Sequence, residues 1–400
     1  MSVAPVPRGL QPATLVALFV AALALRPQLL AIGPLLPLIR ADLGLPAGVA
    51  GLLTTIPVLC MGLFAPFGAR LAARVGPRAG LAICLGLIGG GGLLRAAAPD
   101  IALLLLATFG IGVGIGLAGA IPAIVVAQRL PHAPVHGTSA YAAGIVAGSA
   151  GAAAIAVPLA IDGDWRVSLA IISAAVLASI GIWLVVLRAD ASARRLEARA
   201  PRLPWRSGTG WLLVALFGVQ SILYYGIVSW MPNALVERGW SAADAGALIA
   251  IFNGIGLVTT IGVPLVAARL GSRRRQLLTS AITGVIGITG FVFLPDLALF
   301  WIVLLGPALG AVFPLLLTLP VDIADDPGHA GSIAALMLLG GYALASLGPV
   351  VLGVARDLTG NFGASLWLLV ATAVLLVGLS TLLSPARLRR GVRRPPIATI

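Results

Sequence analysis

A single arginine, Arg26, stands near the middle of the apolar run "VALFVAALALRPQLLAIGPLLPLI" at 16–39. A charge there costs about 2.5–3.5 kcal/mol on the insertion scale, so it calls for a partner or a task. Two roles fit. Arg26 can tether helices through the carbonyls that Pro27 and Pro34 leave free, because proline removes the donor that would have bonded them. It can also receive an anion or a nitro group, since guanidinium is a planar fork of donors charged at every working pH. A second polar group lies far along the chain: Gln220, Ser221, Tyr224 and Tyr225. Gln220 and Tyr224 are four residues apart on one helix face, and Ser221 and Tyr225 share the next, so at least one pair points inward. Gln28, Asn253 and Tyr342 complete the candidate substrate-binding set, with Tyr141 and Thr54 as further isolated polar residues. For each, helix packing and substrate contact are both open.

What is missing limits the chemistry as much. All thirteen aspartates and glutamates fall in links or at the ends of apolar runs, and His132, His136 and His329 lie in links or at run ends too. A proton pump built on a titrating core group, and a cation exporter built on a core carboxylate, are therefore disfavoured. Cys60 and Cys84 make neither a metal site nor a disulfide framework. With no nucleophile–base set, metal cluster or phosphate loop, the sequence points to neither an enzyme nor a cofactor. Nor does it show the ring of repeated polar residues that a channel would want.

The elements that must carry these residues are membrane spans. Sixty per cent of the 400 residues are hydrophobic and 10% charged, with a mean hydropathy of +1.08. Twelve apolar runs, at 14–39, 47–70, 79–96, 101–127, 138–161, 167–188, 209–236, 242–268, 277–294, 298–321, 330–355 and 364–384, each approach the ~20 residues needed to cross a bilayer. The first is too long for the apolar stretch of a signal peptide and stays as a span. The net charge of +13 comes from arginines in the links; lysine is absent, a trait that fits genomic base composition. Arg70, Arg74 and Arg78, Arg129, the 188–206 cluster, Arg269 to Arg275 and the 387–394 tail lie on one side. Arg40, Arg95, Arg166, Arg238 and Arg356 are assigned to the poorer links opposite. The positive-inside rule then makes both termini cytoplasmic, in a multi-pass inner-membrane protein with no nucleic-acid partner. Trp230 and Trp240 read as interfacial belt residues.

At an offset of 195 residues the two halves coincide: Pro37 with Pro232, Gly51 with Gly246, "AARVGPR" at 72–78 with "AARLGSR" at 267–273. Six spans per repeat make the halves parallel. This divides the chain into an all-α six-helix bundle at 1–188, a cytoplasmic linker at 189–208, a second bundle at 209–384 and a basic tail at 385–400. Ser221 occupies the repeat position of Arg26. Arg74, Gly76 and Arg78, with Arg269, Gly271 and Arg273, form two basic links able to meet helix carbonyls and lipid phosphates, and are read as a conformational latch.

The 72–78 link resembles that of the major facilitator superfamily, with Ala73 where the family usually has aspartate. The stretch "LRPQLLAIGPLLPLIRADLGLPAGVAGLLTTIP" at 25–57, "FGVQSILYYGIVSWMP" at 217–232 and "LGPVVLGVARDLTG" at 347–360 are more closely similar to its cyanate and nitroimidazole porter branch. Leu25 departs from the asparagine that often precedes the arginine–proline pair there. The resemblance implies twelve helices with a substrate site between the halves near the midplane, working by alternating access. The expected substrate is a small anion or nitro-bearing molecule, met by a monomeric carrier in the lipid bilayer. Efflux of apolar drugs is the alternative.

Overall fold

The computed structural model describes residues 12–130, 132–187, 203–266, 272–324 and 327–383. Within them twelve helices are long and apolar enough to cross a membrane: α1 (Pro12–Leu43), α2 (Ala47–Val75), α3 (Pro77–Ala96), α4 (Ile101–Arg129), α5 (His136–Ile155), α6 (Trp165–Val186), α7 (Gly208–Val236), α8 (Ala242–Thr260), α9 (Arg273–Phe293), α10 (Pro295–Ile323), α11 (His329–Thr359) and α12 (Gly363–Thr381). They match the twelve apolar runs one for one. The main boundary difference is at α5, which stops at Ile155 rather than near 161 because Pro158 cannot continue the helix. The linker up to 202 and the tail from 384 lie outside the described residues, as do Arg269 and Gly271.

The helices pair in a pattern that repeats after six. Helix α1 packs on α5 as α7 packs on α11; α2 packs on α4 as α8 packs on α10; α3 packs on α6 and α4 as α9 packs on α12 and α10. Between the halves, α2 lies against α11, α5 against α8 and α1 against α7.

Proline decides where the first helix bends. In α1 the helix runs over Pro12–Leu23, breaks at Arg26, makes one short turn over Pro27–Leu30, and resumes at Ile32–Leu43. Pro27 has no N–H to reach back to Leu23, so the helix restarts there with Arg26 as its N-cap residue.

The halves meet most closely toward the face opposite the one where α1 begins. Gly51 of α2 sits on the Pro349 carbonyl of α11, where an added Cβ would lie 2.6 Å from the oxygen, so only glycine admits this approach. Thr55 Oγ1 donates to the Ser346 carbonyl at 2.7 Å, and Ser229 Oγ of α7 donates to Thr54 Oγ1 at 3.1 Å. Helix α2 begins after Pro46, which supplies no side-chain cap. Its first N–H groups are capped from the other half instead: Asp357 accepts from Ala47 N at 2.9 Å and Gly48 N at 2.7 Å. A carboxylate at a helix N-terminus satisfies orphan donors and complements the dipole.

Two sequence expectations give way here. Trp230 is not a belt residue: it is 2% exposed, stacks 5.5 Å from Phe362, and donates from Nε1 to the Pro349 carbonyl at 2.7 Å. An amphipathic ring serves an interface or a buried acceptor equally well, and helix α11 supplies the acceptor. Arg95, assigned to an outer link, is instead fully buried among α1, α3 and α4.

Candidate substrate site

Arg26 projects from the break in α1 and is half-buried. Its Nη1 donates to the hydroxyl of Tyr225 on α7 at 3.3 Å, a bond that crosses from one half to the other. That is its one bond among the described residues, so most of the fork's five donors stay unspent. The tether to proline-freed carbonyls is not the arrangement found. Tyr225 in turn donates to Met61 Sδ at 3.7 Å, and its ring stands edge-on to Tyr224 at 5.1 Å. Tyr224 donates to Asn253 Oδ1 on α8 at 2.7 Å, and Asn253 Nδ2 is held by the Ile249 carbonyl.

The chain has four tyrosines, Tyr141, Tyr224, Tyr225 and Tyr342, and all four lie within electrostatic range of Arg26. They come from α5, α7 and α11, so both halves contribute. Tyr342 stands edge-on to Phe217 at 5.0 Å. The phenols offer hydroxyls that donate or accept, and rings that stack on a flat ligand. Among the described residues no carboxylate bonds to Arg26. A half-buried guanidinium with neutral hydrogen-bonding neighbours keeps donors able to meet a negative group.

Of the sequence candidates, Arg26, Tyr224, Tyr225, Asn253 and Tyr342 are brought together. Gln220 and Ser221 are buried one turn earlier on α7, and Ser221 Oγ donates to Gln220 Oε1 at 3.3 Å. Gln28 points the other way: its Nε2 donates to Ser173 Oγ at 2.8 Å and the Leu169 carbonyl at 3.3 Å, inside the first half. Two positions after Arg26, its side chain leaves a different face of the turn, so it braces α1 against α6 rather than lining the site. Thr54 belongs to the seal between the halves. Met61 was missed; an apolar side chain in an apolar helix carries no sequence signal.

The basic links form bonds within one half. Arg78 Nη2 donates to the Leu184 carbonyl at 2.7 Å while Trp183 Nε1 donates to the Arg78 carbonyl at 2.9 Å, joining α3 to α6. Arg273 pairs with Asp322 at 3.3 Å, joining α9 to α10. Gly76 turns between α2 and α3 at φ +83°, a left-handed value that favours glycine, and Arg74 is exposed.

The sequence matches the family model of the Major Facilitator Superfamily over residues 14–349. The chain belongs to that superfamily. It is 32% identical over 350 residues to the Cyanate transport protein CynX of Escherichia coli (strain K12), covering 87% of this chain and 91% of that protein. To the 2-nitroimidazole transporter of the same organism it is 31% identical, covering 83% and 85%. It therefore falls in the branch to which these two transporters belong. The fold is like that of a bacterial homolog of the human lysosomal transporter Spinster, with a TM-score of 0.76 at 16% identity over 93% of this chain and 96% of that one. It is equally like the D-xylose-proton symporter, with a TM-score of 0.75 at 18% identity over 94% and 98%. The protein is thus a multi-pass membrane transporter, as its family and relatives are, rather than an enzyme.

Proposed function

We propose that this transporter moves a small anion or a nitro-bearing molecule, of the cyanate or 2-nitroimidazole type, by alternating access around Arg26. One observation carries the reading: a half-buried guanidinium near mid-span has, among the described residues, a single hydroxyl partner, Tyr225 of the opposite half, which stands edge-on to Tyr224. A negative oxygen or nitrogen entering the site would take the unspent donors, and the flat nitroimidazole ring would find phenol faces. The names of the two relatives agree with such cargo.

The bond between Arg26 and Tyr225 supports a role in coupling cargo to motion. Cargo that competes for the guanidinium loosens the tie between halves, which is how a ligand acquires different affinities for two states. With both termini in the cytoplasm of an inner membrane, the contacts at Gly51, Thr55 and Asp357 would form the seal on the outer side. Arg74, Gly76 and Arg78, with Arg269, Gly271 and Arg273, would then serve as a latch in the opposite conformer, where the inner ends approach.

Thermal unfolding of purified wild type and Arg26→Ala against cyanate, nitrate, small carboxylates, 2-nitroimidazole and hydrophobic cations tests this, because a ligand selective for the folded state raises stability by mass action. Stabilisation of wild type by cyanate or 2-nitroimidazole, lost in Arg26→Ala, is expected. Stabilisation by hydrophobic cations alone, equal in both proteins, overturns the reading in favour of drug efflux.

A further inference from the structure

Behind Arg26 lies a second arginine that neither the substrate site nor the seal between the halves uses. Arg95, near the end of α3, is 0% exposed. Its Nη1 donates to the carbonyl of Gln28 at 2.8 Å, while Nε and Nη2 both donate to Thr108 Oγ1 on α4 at 3.2 and 2.9 Å. Thr108 Oγ1 itself donates to the Leu104 carbonyl at 2.7 Å, so the hydroxyl's lone pairs face Arg95. Among the described residues no carboxylate pairs with it: its charge is held by one carbonyl and one hydroxyl.

The carbonyl it holds matters most. Gln28 sits in the Pro27–Leu30 turn, the short piece of α1 isolated between the break at Arg26 and the irregularity at Ala31. Arg26 is the N-cap residue of that same turn, two residues earlier, or about 3 Å along a helix axis. A turn this short cannot hold itself in place, since helix formation is cooperative and most of its stability comes from packing. The Gln28 side chain braces it on the α6 side through Ser173. Gly92 of α3 makes room for that brace, because a Cβ there would lie 2.6 Å from Gln28 Nε2. Arg95 braces it on the α3 and α4 side.

We propose that Arg95 is a positioning residue for the substrate site: it clamps the Pro27–Leu30 turn to α3 and α4, so that Arg26 is aimed at the other half. Its charge, which no carboxylate among the described residues pairs with, also adds to the potential that draws an anion to the turn. The proposal builds on the Arg26 reading, but its mechanical part stands without it.

Two measurements test it on the full chain in liposomes or nanodiscs. The first needs no cargo: hydrogen exchange of the amides at 29–32 in wild type, Arg95→Gln, Arg95→Lys and Thr108→Val. Exchange in that turn should rise about tenfold in Arg95→Gln and by a smaller factor in Thr108→Val, with α12 unchanged. Arg95→Lys, keeping one donor for the Gln28 carbonyl, should fall between wild type and Arg95→Gln. The second is uptake of cyanate and of 2-nitroimidazole. There KM should rise about tenfold in Arg95→Gln with Vmax per folded protein nearly unchanged, because aim and potential act on binding. Unchanged exchange at 29–32 in both Arg95→Gln and Thr108→Val overturns the proposal, and so does loosening spread equally over all helices. Should Arg95→Gln fail to fold, Thr108→Val decides alone. A turn that loosens while Arg26→Ala transports normally would sink the Arg26 reading and leave the clamp.

Discussion

The two halves keep one scaffold and differ in what they place at its centre. Helix pairings repeat after six helices, and Gly51 and Gly246 recur at the same offset. Each half also closes its first helix with an acid that an arginine meets: Asp42 with Arg166 at 2.6 Å, and Glu237 with Arg356 at 2.7 Å. In both pairs the guanidinium also lies over a ring, Trp165 at 4.3 Å and Phe362 at 5.8 Å. At the site, however, Arg26 in the first half stands where Ser221 stands in the second. The first half holds the fixed charge and one phenol, Tyr141, and the second supplies the other three phenols and the Asn253 amide. On the proposed function, the repeat would supply the motion and divergence within it the chemistry.

The sharpest way to break this comparison is to remove the charge. Arg26→Ala should lower uptake of the stabilising anion by about a hundredfold or more, since hydrogen bonds to a charged group contribute ~1.5–3 kcal/mol and the fork can make several. Arg26→Lys should recover little, because a point charge cannot replace the fork. Uptake by Arg26→Ala within a few-fold of wild type would mean the asymmetry has no bearing on transport.

A smaller change is expected where the halves join. Asp357→Asn keeps the shape but weakens the cap on α2, a loss on the order of 1 kcal/mol that shifts the balance of conformers about fivefold. Labelling of a cysteine placed at Thr55, from the membrane face where α2 begins, should speed by that factor. If it does not, the seal does not depend on this carboxylate.

Tyr225→Phe removes the phenol bonded to Arg26 and should raise the affinity for cargo about threefold to fivefold. An increase would mean the phenol competes with cargo for the fork; a decrease would mean it holds the fork in place. Least affected should be Asp42→Asn, which breaks a solvent-exposed pair: exposed ion pairs contribute ~0–1 kcal/mol, so melting should shift by a degree or two at most and uptake not at all.

The sequence by itself determined the twelve spans, because length and hydropathy are local and a bilayer demands ~20 apolar residues of each helix. It also determined the repeat and marked Arg26, whose charge is conspicuous in an apolar run. The pair Ser221 and Tyr225 was legible as a helix face, and Tyr225 is the member that reaches Arg26. Only tertiary structure decided the rest. Gln28 and Arg26 are two residues apart, yet one braces α6 and the other faces α7. Arg95 near the end of α3 had two directions open to its long side chain, outward to the headgroups or inward to an acceptor. Which it takes depends on Thr108 and on a turn of α1 far away in sequence. Trp230 likewise follows the Pro349 carbonyl of α11 rather than an interface. A polar atom in a membrane goes where its partner is, and the partner's position is a property of the packed helices, not of the neighbouring residues.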